Sequence, residues 1–213
     1  MCSIIGSFSK EKVIELIELN QHRGNFSYSI STFDTDNNVM TDQIKSFGSF
    51  DKEVLGRCSD KENIYYICHV QAPTGGLMQD PKRIHPTNIN DTFLWHNGII
   101  KSRSIKKLQA QFITIEEFDT ALLHKVLPNW KELSTVEGLF SCAYVNKEGL
   151  HLFRTKHGQL HIDKDMNISS ERFEGSKCIN YDTIYQVDLK EKQLKEIDSF
   201  NTKRFNIVVP GEL

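Results

Sequence analysis

Past Pro128 the chain offers little besides short strand signals. "LFSCAYV", "LHLFRT", "QLHID", "TIYQVDL" and "FNIVV" follow one another, separated by turn material such as "KEG" and "KHG". So many short strands in so little chain imply a mostly antiparallel sheet. Upstream, "FSYSISTF" and "VMTDQIKSF" alternate around the turn cluster "DTDNN", which predicts a hairpin. "NIYYICHVQA" is a fuller apolar run and predicts a buried strand; "TFLWHNGII" predicts another, with Phe93 and Trp95 in the core.

Helix signals are fewer. After the apolar strand "SIIGSF", Ser9 is placed to cap a helix with Val13, Leu16, Ile17 and Asn20 at helical spacing. Gly24 follows as its expected C′ residue. A second helix is expected over "ITIEEFDTALLHKVL". Thr114 and Glu117 would form a capping box, Ile113 and Phe118 a hydrophobic staple, and Pro128 the stop. Strands, helix, strands, helix and many strands describe an α+β chain. One domain over 1–213 is expected, with a polar, loosely held tail from about Asp198.

Charge and cysteine content exclude several classes. The formal net charge is -2, so no basic field points to nucleic acid. No apolar run approaches the ~20 residues of a membrane helix, and charges from Lys10 onward break up any signal peptide. The five cysteines (Cys2, Cys58, Cys68, Cys142 and Cys178) are odd in number and lack C-x-x-C spacing. Reduced thiols in the cytoplasm are therefore expected, rather than a disulfide framework or a structural zinc. His69, His85 and His96, with Asp80 or Asp91 nearby, match no usual metal-ligand spacing, so they are expected to line or support a site.

Cys2 carries the chemistry. Methionine is commonly trimmed before a small residue, and a chain beginning at Cys2 would hold a thiol and a free α-amine on one residue. An α-amine titrates at about 7.7–8.0 and a thiol at about 8.5, so the amine can take the thiol proton directly or through a water. The plain structural alternative is a small buried residue at a strand start. Further along, Asn97-Gly98 in "WHNGII" can supply a side-chain N–H and a backbone N–H to one oxyanion.

Taken in order, the motifs resemble those of the class II glutamine amidotransferases. "MCSIIG" is similar to the family's Cys-Gly-Ile-x-Gly start, and "NQHRGNFS" to Gln-His-Arg-Gly-x-Asp-Ser. "HVQAPTGG" resembles His-x-Arg-x-x-Thr-x-Gly, and "IHP" with "WHNGII" the His-Pro stretch leading to His-Asn-Gly. "FDTALL", "VEGLFSCAYV", "LFRTKHG" and "ISSE" resemble later segments in the same order. The resemblance implies a four-layer αββα sandwich of two antiparallel sheets, the N-terminal nucleophile hydrolase fold. It implies Cys2 as nucleophile with its own amine as base, and Asn97 with the Gly98 N–H as oxyanion hole. Asp119 would bind the substrate α-ammonium, the alternative being a solvated Asp in a helix's first turn. Thr74 would hydrogen-bond the bound amino acid, and Arg23 would be structural or would close the site.

Gln71 departs from the family, which carries Arg there for the glutamine α-carboxylate. Losing a charged hydrogen bond weakens binding by about 1.5–3 kcal/mol. Three explanations stand: Lys82 or Arg83 reaches in, glutamine binds weakly or only with a partner, or the substrate is an amide without that carboxylate. No cofactor is expected, and no phosphate loop appears. The resemblance therefore implies a glutaminase half that serves a separate synthetase-type ammonia acceptor. Its rivals are a free-standing amidohydrolase on another amide and a catalytically silent binding module.

Overall fold

The computed structural model describes residues 2–72 and 80–202. The chain opens with β1 (Ser3–Ser7), α1 (Lys10–Asn20), the hairpin β2 (Ser27–Asp34) and β3 (Val39–Phe47), a short α2 (Lys52–Gly56) and β4 (Ile64–Gln71). Next come β5 (Thr87–Ile89), β6 (Thr92–Ile100), α3 (Ser102–Gln111), α4 (Asp119–Val126), β7 (Gly138–Asn146) and β8 (Gly149–Arg154). Three two-residue strands follow, β9 (His161–Ile162), β10 (Ile168–Ser169) and β11 (Lys177–Cys178), and then β12 (Thr183–Asp188) and β13 (Gln193–Ser199). They form a seven-stranded sheet, ordered β11-β9-β10-β1-β4-β2-β3, and a six-stranded sheet, ordered β13-β12-β8-β7-β6-β5. Every recorded pairing is antiparallel.

Alternation along single strands sets the layers. Ile4 of β1 packs with Phe33, Tyr65, Ile67, Trp95 and Leu152 between the two sheets. Its neighbour Ile5 points the other way and packs with Tyr66, Cys68 and the α1 residues Val13, Leu16 and Ile17. On the second sheet Leu94, Phe140 and Phe153 face outward onto Leu108 of α3 and Leu122 and Leu123 of α4. Helix, sheet, sheet, helix is the αββα sandwich. Each fully buried Leu, Ile or Val contributes roughly 1.5–3 kcal/mol, and all three cores are built of such residues.

The first helix forms as its pattern predicts. Ser9 Oγ accepts from Lys12 N at 3.1 Å, and Val13, Leu16, Ile17 and Asn20 are buried. Asn20 ties the helix to the sheet: its Oδ1 accepts from Ser3 Oγ at 2.6 Å, and its Nδ2 donates to Ser169 Oγ at 2.9 Å. Gly24 has a different task from the expected cap. Helix α1 ends at Asn20, a 3-10 turn spans Gln21–Arg23, and Gly24 is extended at φ -175. A Cβ on Gly24 would lie 2.3 Å from the carbonyl carbon of Gln71. The residue is small because the chain crosses the end of β4 there.

The second helix is shorter than its sequence suggests. It begins at Asp119, without the capping box or the staple. Thr114 Oγ1 instead accepts from Glu116 N, and Glu116 Oε1 from Phe118 N, closing turns that compete with a helix. Ile113 adopts φ +49, and Ile113 and Ile115 are 94% and 95% exposed. Helix α3 was not anticipated, because only Ser104 and Leu108 of its ten residues are buried. The chain end is also held further than expected: Asp198 lies in β13, and Phe200 is buried with its N–H donating to Asp182 O at 2.9 Å. "FNIVV" lies outside the described residues.

The Gly24 contact yields a test. Gly24→Ala should destabilise the protein by about 1–3 kcal/mol, since backbone rather than a mobile side chain blocks the added methyl. Urea unfolding of the two proteins, compared at equal m-value, reads this directly; an unchanged midpoint contradicts it.

Candidate active site

Cys2 is fixed at the start of β1, a strand paired on both sides. Ile4 pairs with His69 of β4, and Ile5 with both Cys68 and Ser169. Arg23 Nε donates to the Cys2 carbonyl at 3.1 Å, and its guanidinium ion-pairs with Glu171. Cys2 itself is 8% exposed. Burial pushes its thiol above the usual value, opposed by a hydrogen bond from the Ala72 backbone. A buried thiol of this kind needs a base to become a nucleophile.

The thiol borders a cavity of about 500 Å³ that Gly98, Gln71, Arg83, Asp119 and Thr120 also line. A concavity of about 620 Å³ elsewhere, bordered by Phe8 and Lys12, contains no cysteine. Gly98 sits in β6 opposite Phe140 of β7. A Cβ there would lie 2.1 Å from Leu139 O, so only glycine fits, and it leaves the backbone bare at the cavity wall. Asn97 is buried beside it, and its Nδ2 donates to Ser170 Oγ at 3.0 Å. Ser170 Oγ also accepts from Ile4 N at 3.0 Å, so one hydroxyl bridges the strand that carries Cys2 and the strand that carries Asn97. Asn97 Nδ2 has a second N–H to offer, while its Oδ1 is buried without a partner among the described residues.

Asp119 stands at the first position of α4, its carboxylate accepting from Thr120 N at 2.8 Å and lying 3.8 Å from His96 Nδ1. Arg23 is built into the scaffold through Cys2 and Glu171. Thr74 lies outside the described residues. Gln71 reaches the cavity, but its amide is engaged on both sides. Nε2 donates to Arg83 O at 3.2 Å, and Oε1 accepts from Ser27 Oγ at 3.0 Å and faces His85 Nδ1 at 3.4 Å.

The three histidines cluster behind the cavity. His69 and His85 lie ring to ring, centroids 4.0 Å apart, and Thr120 Oγ1 lies 2.9 Å from His85 Nε2 and 3.0 Å from His96 Nδ1. Burial drives all three below their ordinary value, His69 to about 3, so each is neutral near pH 7. Among the described residues, no group of three or more His, Cys, Asp or Glu is arranged to hold a metal. Sequence reasoning missed Ser170, Glu171 and Thr120 as supports. The segments "ISSE" and "FDTALL" contained them, but their partners lie far away in the chain.

No family model matches the chain, and no curated protein sequence does. Solved structures match across 92% of it. Glutamine phosphoribosylpyrophosphate amidotransferase from B. subtilis, complexed with ADP and GMP, superposes with a TM-score of 0.68 at 16% identity. A structure described as the allosteric regulatory enzyme of purine biosynthesis gives 0.67 at 15% identity. The fold is the one these two structures have. This chain spans about half the length of those two proteins, 49% and 48%. Cys2 directly precedes β1, a strand in the interior of the seven-stranded sheet. Among the described residues no helix is long and apolar enough to cross a membrane.

The neutral histidines make stability depend on pH. Below about pH 6.5 the unfolded chain protonates these imidazoles more readily than the folded protein does, so the unfolded state binds more protons. Stability is then full above about pH 6.5 and falls as pH drops toward His69's folded value of about 3. The slope from His69 approaches about 1.4 kcal/mol per pH unit in that range. His69→Gln should remove about one such contribution below pH 6. Denaturant titrations at pH 7, 6 and 5 measure it, and equal slopes in the two proteins contradict it.

Proposed function

We propose that this chain is a glutaminase: it hydrolyses the side-chain amide of glutamine and supplies ammonia to a separate acceptor enzyme. The observation that carries this reading is Cys2 at the wall of a cavity shared with the bare backbone of Gly98 and the carboxylate of Asp119. The amidotransferase fold supports it.

In the proposed reaction the mature chain begins at Cys2. Its α-amine takes the thiol proton, and the thiolate attacks the amide carbon. Charge develops on the carbonyl oxygen, where the Gly98 N–H and the second N–H of Asn97 meet it. The amine returns its proton to the leaving nitrogen, ammonia departs, and a γ-glutamyl thioester remains on Cys2. Water, deprotonated by the same amine, releases glutamate. Asp119 holds the substrate ammonium by a charge-assisted contact. The raised thiol pKa explains why the free amine matters: a chain that keeps Met1 lacks the base.

In this reading the chain acts as one glutaminase unit in the reducing cytoplasm, which suits its free thiols. Free ammonia at neutral pH is protonated and loses nucleophilicity, so a docked synthetase-type partner is expected. The proposal involves no cofactor.

Three variants test the roles. Correctly processed Cys2→Ala should release no glutamate or ammonia from glutamine; residual turnover contradicts the mechanism. Asn97→Ala should lower kcat by about a hundred- to a thousandfold. Asp119→Asn should raise KM by about tenfold or more with kcat within a few fold, as expected for a lost charged contact to the ground state.

A further inference from the structure

The locked amide of Gln71 leaves open what would bind the carboxylate of an amino-acid substrate. Arg83 O can only accept, so the face of Gln71 turned to it is the NH2 group, and Oε1 must face Ser27 and His85. His85 Nδ1 therefore bears the proton. Its Nε2, bare in a neutral ring, accepts a hydrogen bond from the Thr120 hydroxyl at 2.9 Å. The Thr120 oxygen then accepts from His96 Nδ1 at 3.0 Å; its contact to Asp119 Oδ1 is longer, at 3.4 Å. His69 donates from Nε2 to His96 O at 3.2 Å. One directional chain thus runs from α4, where Asp119 sits, through Thr120, His85 and Gln71 to the backbone of Arg83.

The two ends of that chain carry opposite charges. Arg83 is the one Lys or Arg among the cavity's described lining residues, which also include Asp119 and the exposed Glu117. Lys82 is exposed and does not line it. The stretch 73–79 contains no charged residue. The Arg83 backbone is held twice, its N–H donating to Asp80 O at 3.0 Å and its carbonyl accepting from Gln71. Among the described residues its guanidinium has only a 4.0 Å contact to Asp80, with the side chain one-third exposed, a pair too weak to hold it against a carboxylate ligand.

We propose that Arg83 is the carboxylate-recognising residue of this site and that Gln71 is a positioning residue that holds it, so that the cavity accepts the zwitterionic end of an α-amino acid between Arg83 and Asp119. This rests on the glutaminase reading and names the residue that sets its substrate class. Gln71 then acts as the strut for a cation supplied from the next turn.

The test compares two alkylating agents at Cys2, followed by peptide mass: 6-diazo-5-oxonorleucine, which carries the amino-acid group, and iodoacetamide, which does not. Arg83→Ala should slow the first reaction about ten- to a hundredfold and leave the second within twofold. Arg83→Lys should recover part of the loss. Gln71→Ala should shift the ratio of the two rates in the same direction but less, a readout that general loosening of the fold would not move. A wild-type ratio kept by Arg83→Ala overturns this inference alone. A wild-type protein that shows no preference for 6-diazo-5-oxonorleucine over a free cysteine overturns the glutamine reading, and this inference with it.

Discussion

The buried position of β1 is the constraint on which the site depends. Chain ends usually fray, because few contacts hold them. Here all five residues of β1 are buried, with β10 on one side and β4 on the other. Ile4 is committed to the core between the sheets and Ile5 to the core under α1, so the strand can neither slip nor rotate by one residue. Cys2 inherits that rigidity. Its carbonyl is held by Arg23, and the Ser170 hydroxyl links the adjoining strand to Asn97 on the facing sheet. The proposed reaction needs a nucleophile that is held immobile, and the sandwich holds Cys2 through ordinary packing and backbone pairing.

The sandwich interior also holds polar groups. Ser29 and Ser31 of β2, His69 of β4 and Trp95 and Asn97 of β6 each keep a buried polar atom without a partner among the described residues. Such groups cost free energy. Ile67, Leu150 and Leu152 fill the space between the sheets with hydrocarbon around them. The neutral histidines follow the same logic. An imidazole that stays uncharged can sit in a dry wall and still pass hydrogen-bond direction from one residue to the next, as His85 does between Thr120 and Gln71.

Strong local patterns made much of the fold legible in the sequence. The hairpin of β2 and β3, the fully buried β4 and the cap of α1 each need only neighbouring residues to be recognised. Local pattern failed where long-range packing decides. Gly24 is small because of Gln71, far along the chain, and the capping box at Thr114 lost to short side-chain turns. The site divides in the same way. Cys2, Asn97, Gly98 and Asp119 stood out as motif residues. Ser170 could not, because its bond to Ile4 spans 166 positions, nor could the engagement of Gln71, which depends on the backbone of Arg83 after a turn.

The central claim is that Cys2, freed of Met1, carries the acyl group of glutamine during turnover. Intact-mass analysis of the processed protein, mixed with glutamine and quenched in acid within milliseconds, tests this most directly. The account predicts a transient species heavier by one γ-glutamyl group, mapped to Cys2 and removed by hydroxylamine as a thioester would be. Steady release of glutamate with Cys2 unmodified at every quench time, or full turnover by a chain that retains Met1, would contradict it.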